Sequence, residues 1–424
     1  MIGSTRQAHG SIILERSHGL SSLARSEVWM QSAAVITAIE RGGVLIHVGP
    51  HKTGTTAVQD ALVRAASSLE TQGFIYFASG NQNNANIAVK AFARSIDRDF
   101  KYHSRSSKNP DHWSALYETL IANPGKTAII SAEDLADLSP QHIEKFISSM
   151  GSRPIRVVLT LRSLAQIIPS QWQQFVKRGA MPSLEDWTRE LFSPHSAERK
   201  VDLFWQRHRH QELLARWVNV VGANRVSVVV VDSSDRGAIY PIFEQLIGLT
   251  AGTLQPGDHL NESMSIEQAE LVRASYIALD QSDMGHMFGE KGPMIRIHKY
   301  LLDAKVAASG HKPLLPVSAH EATSRIASQI IEAIEKSGAA VVGDLKALEK
   351  IPTGSAAPHD GNDVLVPASL GGAMAVSLLQ AAGIQGLKKR TQYQVFLDEI
   401  PLKILLAVTW ERLLQRVGII PRRK

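Results

Sequence analysis

The chain has 424 residues and no cysteine, so disulfide bonds, thiolate metal sites and cysteine nucleophiles are excluded. Its formal net charge is +6, and residues 386–424 alone carry nine Lys or Arg against three Asp or Glu, which accounts for the whole excess. The rest of the chain is formally neutral. We therefore expect no nucleic-acid partner, because a duplex-binding domain carries its basic surface on the folded part.

Residues 1–42 predict a loosely ordered N-terminal extension. They lack the continuous apolar core of a secretory signal, and no apolar run in the chain reaches the roughly 20 residues that a membrane-spanning helix needs. The absence of cysteine suits a reducing compartment. We therefore expect a cytoplasmic protein.

Residues 43–350 contain four short apolar runs that predict buried parallel strands. They lie at 44–48, 127–131, 156–161 and 226–232, and stretches with helical periodicity separate them. This alternation predicts an open α/β sheet.

Residues 351–424 predict a linker followed by a helical extension. The linker contains Gly, Pro and Ser, and residues 400–417 place seven apolar side chains on one face of a helix and basic residues on much of the remainder. A basic amphipathic helix lies on a membrane surface or binds a partner. The simpler interpretation is that it packs on the domain itself or on another subunit. Peripheral membrane contact and self-association are therefore both open at this point.

The stretch VLIHVGPHKTGTTAVQDAL, which begins at Val44, almost matches a nucleotide-binding loop. A Walker A loop reads GxxxxGK[ST]; here Gly49 and Gly54 have that spacing, but Thr55 stands where the lysine belongs and the lysine is Lys52. A strand, a Gly-rich loop and a helix that begins near Thr55 form a phosphate-binding context, because orphan backbone N–H groups converge at the helix N-terminus.

The position of Lys52 argues against a kinase-like loop, in which the lysine reaches the β- and γ-phosphates beside a bound Mg²⁺. A donor with one bridging oxygen between a phosphate and the transferred group needs neither that reach nor the metal. The loop resembles the 5′-phosphosulfate loop of bacterial sulfotransferases that use 3′-phosphoadenosine 5′-phosphosulfate (PAPS). The resemblance implies that PAPS is the co-substrate and that a run of loop residues binds it: Lys52, Thr53, Gly54, Thr55 and Thr56.

A second motif follows in the order that this resemblance implies. The stretch RSLAQIIPSQWQQFVKRG comes directly after the third predicted strand, with Arg162 at the strand end and Ser170 eight residues later. In sulfotransferases the arginine and serine of this motif bind the 3′-phosphate of the donor. A guanidinium suits that group because it can clamp phosphate oxygens with two N–H groups.

Weaker similarities continue in the same order to about residue 345, in TAIISAEDL, WVNVVGANRVSVVVVD, LNESMSIEQAELVR and AAVVGDL. Together they imply a P-loop NTPase-like three-layer α/β/α fold with a central, mostly parallel sheet. The implied reaction moves a sulfuryl group from PAPS to a hydroxyl or amine. A carbohydrate, a lipid-linked glycan and a small hydroxylated metabolite are all open as acceptors, because variable loops shape such a pocket.

The catalytic base is less clear than the donor site. Many bacterial relatives carry a histidine where this chain has NQNNANIAV, with Asn84 and Asn86 and no histidine. Glu133, at a predicted strand end beside the loop strand, is the preferred base, and His51 in the loop is the second candidate. Lys52 would stabilise charge on the leaving group. His47, inside the first strand, is interpreted as a core histidine.

No group of His, Asp and Glu has metal-ligand spacing, so we expect a reaction without a metal. Two other functions are consistent with the sequence. A P-loop kinase would need an acidic Mg²⁺ ligand at a strand end, for which Asp232 is the best candidate. A binding protein would keep the donor pocket but lack a base.

Overall fold

The computed structural model describes residues 36–79, 82–83, 85–96, 111–232, 234–235, 237–257, 263–281, 310–353, 364–381 and 410. Within these ranges the chain is an α/β protein built on one parallel six-stranded sheet with the strand order β2-β5-β1-β6-β7-β8. The strands are β1 Val44–Val48, β2 Phe74–Tyr76, β3 Ala78–Ser79, β4 Gln82–Asn83, β5 Thr127–Ala132, β6 Ile155–Leu161, β7 Val226–Val230 and β8 Ala340–Val342. The four strands predicted from apolar runs are confirmed, and β3 and β4 form a separate antiparallel pair.

Helices connect the strands and cover the sheet. They are α1 Thr55–Arg64, α2 Ala66–Thr71, α3 Ala85–Ile96, α4 Asp111–Ala122, α5 Pro140–Ser148, α6 Leu164–Val176, α7 Leu184–Leu191, α8 Arg199–His208, α9 His210–Val221, α10 Ile239–Ile247, α11 Ile266–Gln281, α12 His320–Ser337 and α13 Ala368–Ala381. Short 3₁₀ turns occupy Glu133–Asp137, Ala223–Arg225, Val317–Ala319 and Leu345–Leu348.

The central strand β1 separates two apolar layers. Val44 and Ile46 belong to a core that includes residues of α3, α5 and α9. Leu45, between them, belongs to a second core with residues of α1 and α10. Because successive side chains of a strand point to opposite faces, both faces of the sheet are covered and the arrangement has three layers.

The strand order brings three strand ends together. The chain runs from β5, on one side of β1, to β6 on its other side. In parallel sheets, ligands bind beyond the carboxyl ends of the strands where the order switches direction. The residues that follow β1, β5 and β6 therefore lie at one crevice.

The opposite ends of the strands are held by Arg153. Its guanidinium donates to the backbone carbonyls of Gly42 at 2.7 Å, Leu120 at 3.2 Å and Gly43 at 3.3 Å, and also to the carbonyl of Lys126. One planar group with five N–H donors thus satisfies carbonyls from three separate segments.

The described parts of both terminal regions contact the domain. Ile39 is buried, and its N–H donates to the carbonyl of Leu246 at 3.0 Å, although residues 1–42 predict a loosely ordered extension. In the C-terminal region α13 packs against α11 with Leu370 and Met374 buried, and Trp410 packs against the larger core. The predicted amphipathic helix at 400–417 lies outside the described residues apart from Trp410. Among the described helices, none has the length and apolar content needed to cross a membrane.

We predict that Arg153→Ala lowers the free energy of unfolding by about 2–4 kcal/mol, because it leaves several backbone carbonyls without their charged donor. The control is Arg189→Ala, which removes only an exposed ion pair with Asp186 and should change stability by less than about 0.5 kcal/mol. Denaturant titration of both variants provides the measurement. An equal loss of stability in the two variants would show that the contacts of Arg153 with the backbone carbonyls do not stabilise the fold.

Candidate active site

The loop between β1 and α1 is folded tightly back on itself. A Cβ atom at Gly49 would overlap Thr55 Oγ1, so this position requires glycine. Gly54 has φ 91° and begins α1. Lys52 has φ 72°, the one left-handed residue other than glycine in the described part of the chain. An ordinary residue in this region is strained, and such strain is concentrated at functional sites.

Threonine hydroxyls hold the loop in this shape. Thr55 Oγ1 donates to the Gly49 carbonyl at 2.8 Å, and Thr53 Oγ1 donates to the Pro50 carbonyl at 2.8 Å. Thr53 also lies 3.0 Å from the hydroxyl of Thr160 on β6. The hydroxyls of Thr53 and Thr55 are therefore engaged within the protein, and their predicted contribution to donor binding stays a prediction.

His47 is the core histidine that the sequence predicted. It is fully buried, and its ring nitrogens lie 2.8 Å from Ser131 Oγ and 3.2 Å from Thr160 Oγ1. Burial lowers the pKa of His47 to about 3, although Glu133 opposes the decrease. His47 is therefore neutral, and it links β1 to both neighbouring strands.

The amino end of α1 has neither a side-chain cap nor an acidic residue in its first turn. Thr56, in that turn, is exposed. Orphan N–H groups and the helix dipole both favour negative charge at such an end.

The amine of Lys52 contacts helix α6. Its Nζ donates to Gln174 Oε1 at 3.2 Å. Burial and the nearby charge of Lys177 lower the pKa of Lys52 to about 8, although Glu133 opposes the change. A cation that is partly desolvated in this way interacts strongly with an anion that enters the site.

His51 and Glu133, the two candidate bases, form one pair. His51 Nδ1 lies 2.6 Å from Glu133 Oε2, and the two side chains are 27% and 20% exposed, so solvent reaches both. Burial by itself would raise the pKa of Glu133, but His51, Lys52 and Arg207 together keep it below its ordinary value. A carboxylate can only accept a hydrogen bond, so Nδ1 carries the proton and a neutral His51 presents a lone pair at Nε2.

Asn86 holds Glu133 in place. The side-chain oxygen of Asn86 accepts the backbone N–H of Glu133 at 2.7 Å. Beside them, Arg207 makes two hydrogen bonds of 2.7 Å to the carboxylate of Asp137. The Asn-rich stretch that lacks the expected histidine thus supplies a structural contact to the candidate base. Asn84 lies outside the described residues.

The second predicted motif meets the loop. Arg162 follows β6 directly; its Nη1 donates to the carbonyl of Lys52 at 3.2 Å and its Nε to Gln166 Oε1 at 2.7 Å. Ser170 lies one turn beyond Gln166 on α6 and is half-buried. Arg162 and Lys52 are therefore neighbours, and Ser170 lies on the same helix as Gln166.

Asp232, the candidate Mg²⁺ ligand of a kinase, has a different environment. Its carboxylate accepts the backbone N–H of Ser234 at 2.8 Å and lies 3.6 Å from the amine of Lys350. In the part of the chain that the structure describes, no three or more His, Asp or Glu side chains are grouped to hold a metal ion.

Several contacts at this site were not predicted from the sequence. Gln174 contacts Lys52, Asn86 holds Glu133, Gln166 contacts Arg162 and Thr160 supports the loop. No local pattern marks these residues. The only available signal was that Gln166, Ser170 and Gln174 recur at intervals of four on a helix that carries a predicted site residue.

A comparison with models of protein families finds no match to this chain, and no curated protein matches it. The functional argument therefore depends on the residues of the site.

We predict that Lys52→Gly is more stable than Lys52→Ala by about 1 kcal/mol, because only glycine adopts this backbone conformation without strain. Both variants lose the amine, so their difference isolates the backbone. At the exposed helical position Lys145, the order should be reversed by about 1 kcal/mol. Thermal unfolding of the four variants tests this; the same order at both positions would show that Lys52 is not strained.

Proposed function

We propose that the protein is a sulfotransferase that moves a sulfuryl group from PAPS to a hydroxyl or amine of an acceptor. The observation that carries the proposal is the meeting of two motifs: Arg162, at the end of β6, donates to the carbonyl of Lys52 in the loop after β1. In this proposal Lys52 serves the 5′-phosphosulfate and Arg162 serves the 3′-phosphate, and the two residues are in contact. In this proposal the fold is a variant of the P-loop NTPase type.

The loop suits a 5′-phosphosulfate. The uncapped amino end of α1 offers backbone N–H groups to the phosphate. Lys52, whose amine is turned toward Gln174, lies nearer the strand than the lysine of a Walker A loop. It therefore suits a single bridging oxygen better than a β- and γ-phosphate pair.

Arg162 suits the 3′-phosphate. Its contacts with Gln166 and the Lys52 carbonyl fix the plane of the guanidinium, and a guanidinium has five N–H donors, so a phosphate contact is compatible with both. Ser170, on the same helix, adds a hydroxyl donor. These two residues would distinguish the donor from nucleotides without a 3′-phosphate.

His51 and Glu133 suit proton transfer. In the proposed step the acceptor oxygen forms a bond to sulfur while the bond from sulfur to the bridging oxygen breaks, which leaves adenosine 3′,5′-bisphosphate. His51 Nε2 accepts the proton of the acceptor, and Glu133 stabilises the imidazolium that results. Lys52 neutralises the charge that develops on the bridging oxygen. The preferred base therefore changes from Glu133 to His51, with Glu133 as its orienting partner.

The same observations weigh against the two other functions. Asp232 is paired with Lys350, which is a poor environment for a Mg²⁺ ligand of a kinase. A protein that only binds the donor does not require a proton acceptor, whereas His51 and Glu133 form a pair beside the loop with 2.6 Å between Nδ1 and Oε2. Carbohydrate, lipid-linked glycan and small hydroxylated metabolite all stay open as acceptors.

The donor assignment predicts a preference among nucleotides. The protein should bind adenosine 3′,5′-bisphosphate on the order of 10²-fold more tightly than adenosine 5′-monophosphate, because two charge-assisted contacts are gained. Arg162→Ala should remove most of this ratio and Ser170→Ala part of it. Calorimetry should measure the ratio of the two dissociation constants. A variant that only loosens the loop would weaken the binding of both nucleotides equally and leave this ratio unchanged.

The control is Arg225→Ala. Arg225 is exposed and lies at the opposite end of the sheet, so this variant should keep the ratio of the two nucleotide affinities. Equal binding of the two nucleotides, or tighter binding of ATP that requires Mg²⁺, would contradict the proposal and favour a phosphoryl-transfer loop.

The assignment of His51 as the base predicts the turnover of the two single variants and of the double variant. His51→Ala should lower turnover by about 10²–10⁴-fold with unchanged bisphosphate affinity. Glu133→Gln should lower it less, and the double variant should be no slower than His51→Ala, since residues that act as a unit are not additive. Release of adenosine 3′,5′-bisphosphate in a cell extract supplies the rate, and exposed His195→Ala is the control. A greater loss in Glu133→Gln would identify the carboxylate as the base.

A further inference from the structure

Helix α6 presents one open stripe beside the candidate site. Its positions Gln171, Trp172, Gln173 and Val176 are buried. Between them, a row of side chains stays accessible: Gln166, Ser170 and Gln174 on the helix, and Lys177 and Arg178 in the turn that follows it. Residues four apart share a helix face, so the three helical positions form one surface, which the turn continues.

Two contacts fix this row against the site. Gln166, at its beginning, holds Arg162 at 2.7 Å, and Gln174, eight residues later, holds the amine of Lys52 at 3.2 Å. Eight residues of helix span about 12 Å. In the proposed function, Arg162 lies at the 3′-phosphate and Lys52 at the bridging oxygen, so the row runs from the nucleotide end of the donor to the transferred group.

Lys177 and Arg178 lie beyond that point. They lie in the turn after α6, three and four residues beyond Gln174, which is a separation of roughly 6 Å at helical rise. In-line displacement requires the acceptor to approach sulfur from the side opposite the bridging oxygen. The end of the row beyond Gln174 is therefore on the acceptor side of the site.

Neither of these two cations is neutralised by the described protein. Lys177 is half-buried and Arg178 is exposed, and neither takes part in the ion pairs found within the described ranges. A cation at a helix C-terminus is favourable by itself, and α6 ends at Val176. That effect does not account for the position of both cations directly after Gln174, which contacts the amine of Lys52 at 3.2 Å; besides burial, both cations also lower the pKa of Lys52.

In the proposed function, the loop N–H groups and Lys52 bind the 5′-phosphosulfate, and Arg162 and Ser170 bind the 3′-phosphate. Lys177 and Arg178, beyond Gln174, have no assigned anion among the groups of the donor. We propose that Lys177 and Arg178 bind an anionic group of the acceptor, so that the acceptor is an acidic molecule with a carboxylate, sulfate ester or phosphate ester about one helical turn from the hydroxyl or amine that is modified. This inference rests on the proposed function and specifies its substrate class.

The test begins with the acceptor itself. The enzyme and ³⁵S-labelled PAPS are incubated with an extract of the source cells, and mass spectrometry identifies the labelled product and the extract species lighter by one sulfuryl group. That lighter species should bind an anion exchanger at pH 7. A neutral or cationic species would overturn this inference while leaving the sulfotransferase proposal intact.

The second part uses a variant and a charge-matched control. Lys177→Gln/Arg178→Gln should lower kcat/KM for that acceptor by about 10- to 100-fold and keep the preference for adenosine 3′,5′-bisphosphate. Lys145→Gln/Arg225→Gln removes two exposed cations elsewhere and should change neither quantity. Arg178→Ala provides a second measurement of kcat/KM. Because Arg178 is exposed, this variant avoids any effect on folding from replacing the half-buried Lys177.

Equal kcat/KM in the two double variants would overturn the inference. The absence of any labelled product, with the bisphosphate preference retained, would instead overturn the transfer reaction on which the inference rests. The two failures are therefore distinguishable.

Discussion

The candidate site depends on one hydrogen bond, from Thr55 Oγ1 to the carbonyl of Gly49 at 2.8 Å. This bond closes the loop between β1 and α1 so tightly that no side chain fits at Gly49, and within the closed loop Lys52 adopts the left-handed conformation. The strained backbone directs the lysine amine to α6 and its carbonyl to Arg162. Local strain at Lys52 is thus compensated by contacts with two other elements of the fold.

The electrostatics of the site follow from this placement. Lys52 is partly buried near Lys177, Arg178 and Arg162, so its pKa decreases to about 8. Clustered cations of this kind destabilise the folded state by mutual repulsion, and Glu133 offsets only part of the effect. Natural proteins violate the rules of local consistency mainly where function requires it. In the proposed function, the anionic groups of the donor and the acceptor offset this repulsion.

In the proposed function, the His51–Glu133 pair takes the place of the histidine that the resemblance implies. The loop supplies the imidazole, and the end of β5 supplies the carboxylate. Asn86, in the stretch where a histidine was expected, instead accepts the backbone N–H of Glu133. In this proposal the chemical roles are kept, although the residues that fill them lie on different elements. Such a site is better compared by geometry than by position in a motif.

The sequence by itself determined four of the strands, the loop and the displaced lysine. Apolar runs and glycine spacing are local features, so β1, β5, β6 and β7 and the start of α1 could be predicted within a few residues. The order of the two motifs along the chain was predicted, whereas the contact between Arg162 and the carbonyl of Lys52 was not. Residues 1–35 and most of the predicted C-terminal helix lie outside what the structure describes.

Only the tertiary structure decided which side chains meet. Gln174 is 122 residues from Lys52 along the chain, and Glu133 and His51 come together because β5 lies beside β1. The sequence offered Glu133 and His51 as competing bases, whereas the fold makes them partners. Such pairings depend on strand order and on the direction of each helix face, and neither is encoded in the local pattern of polar and apolar residues.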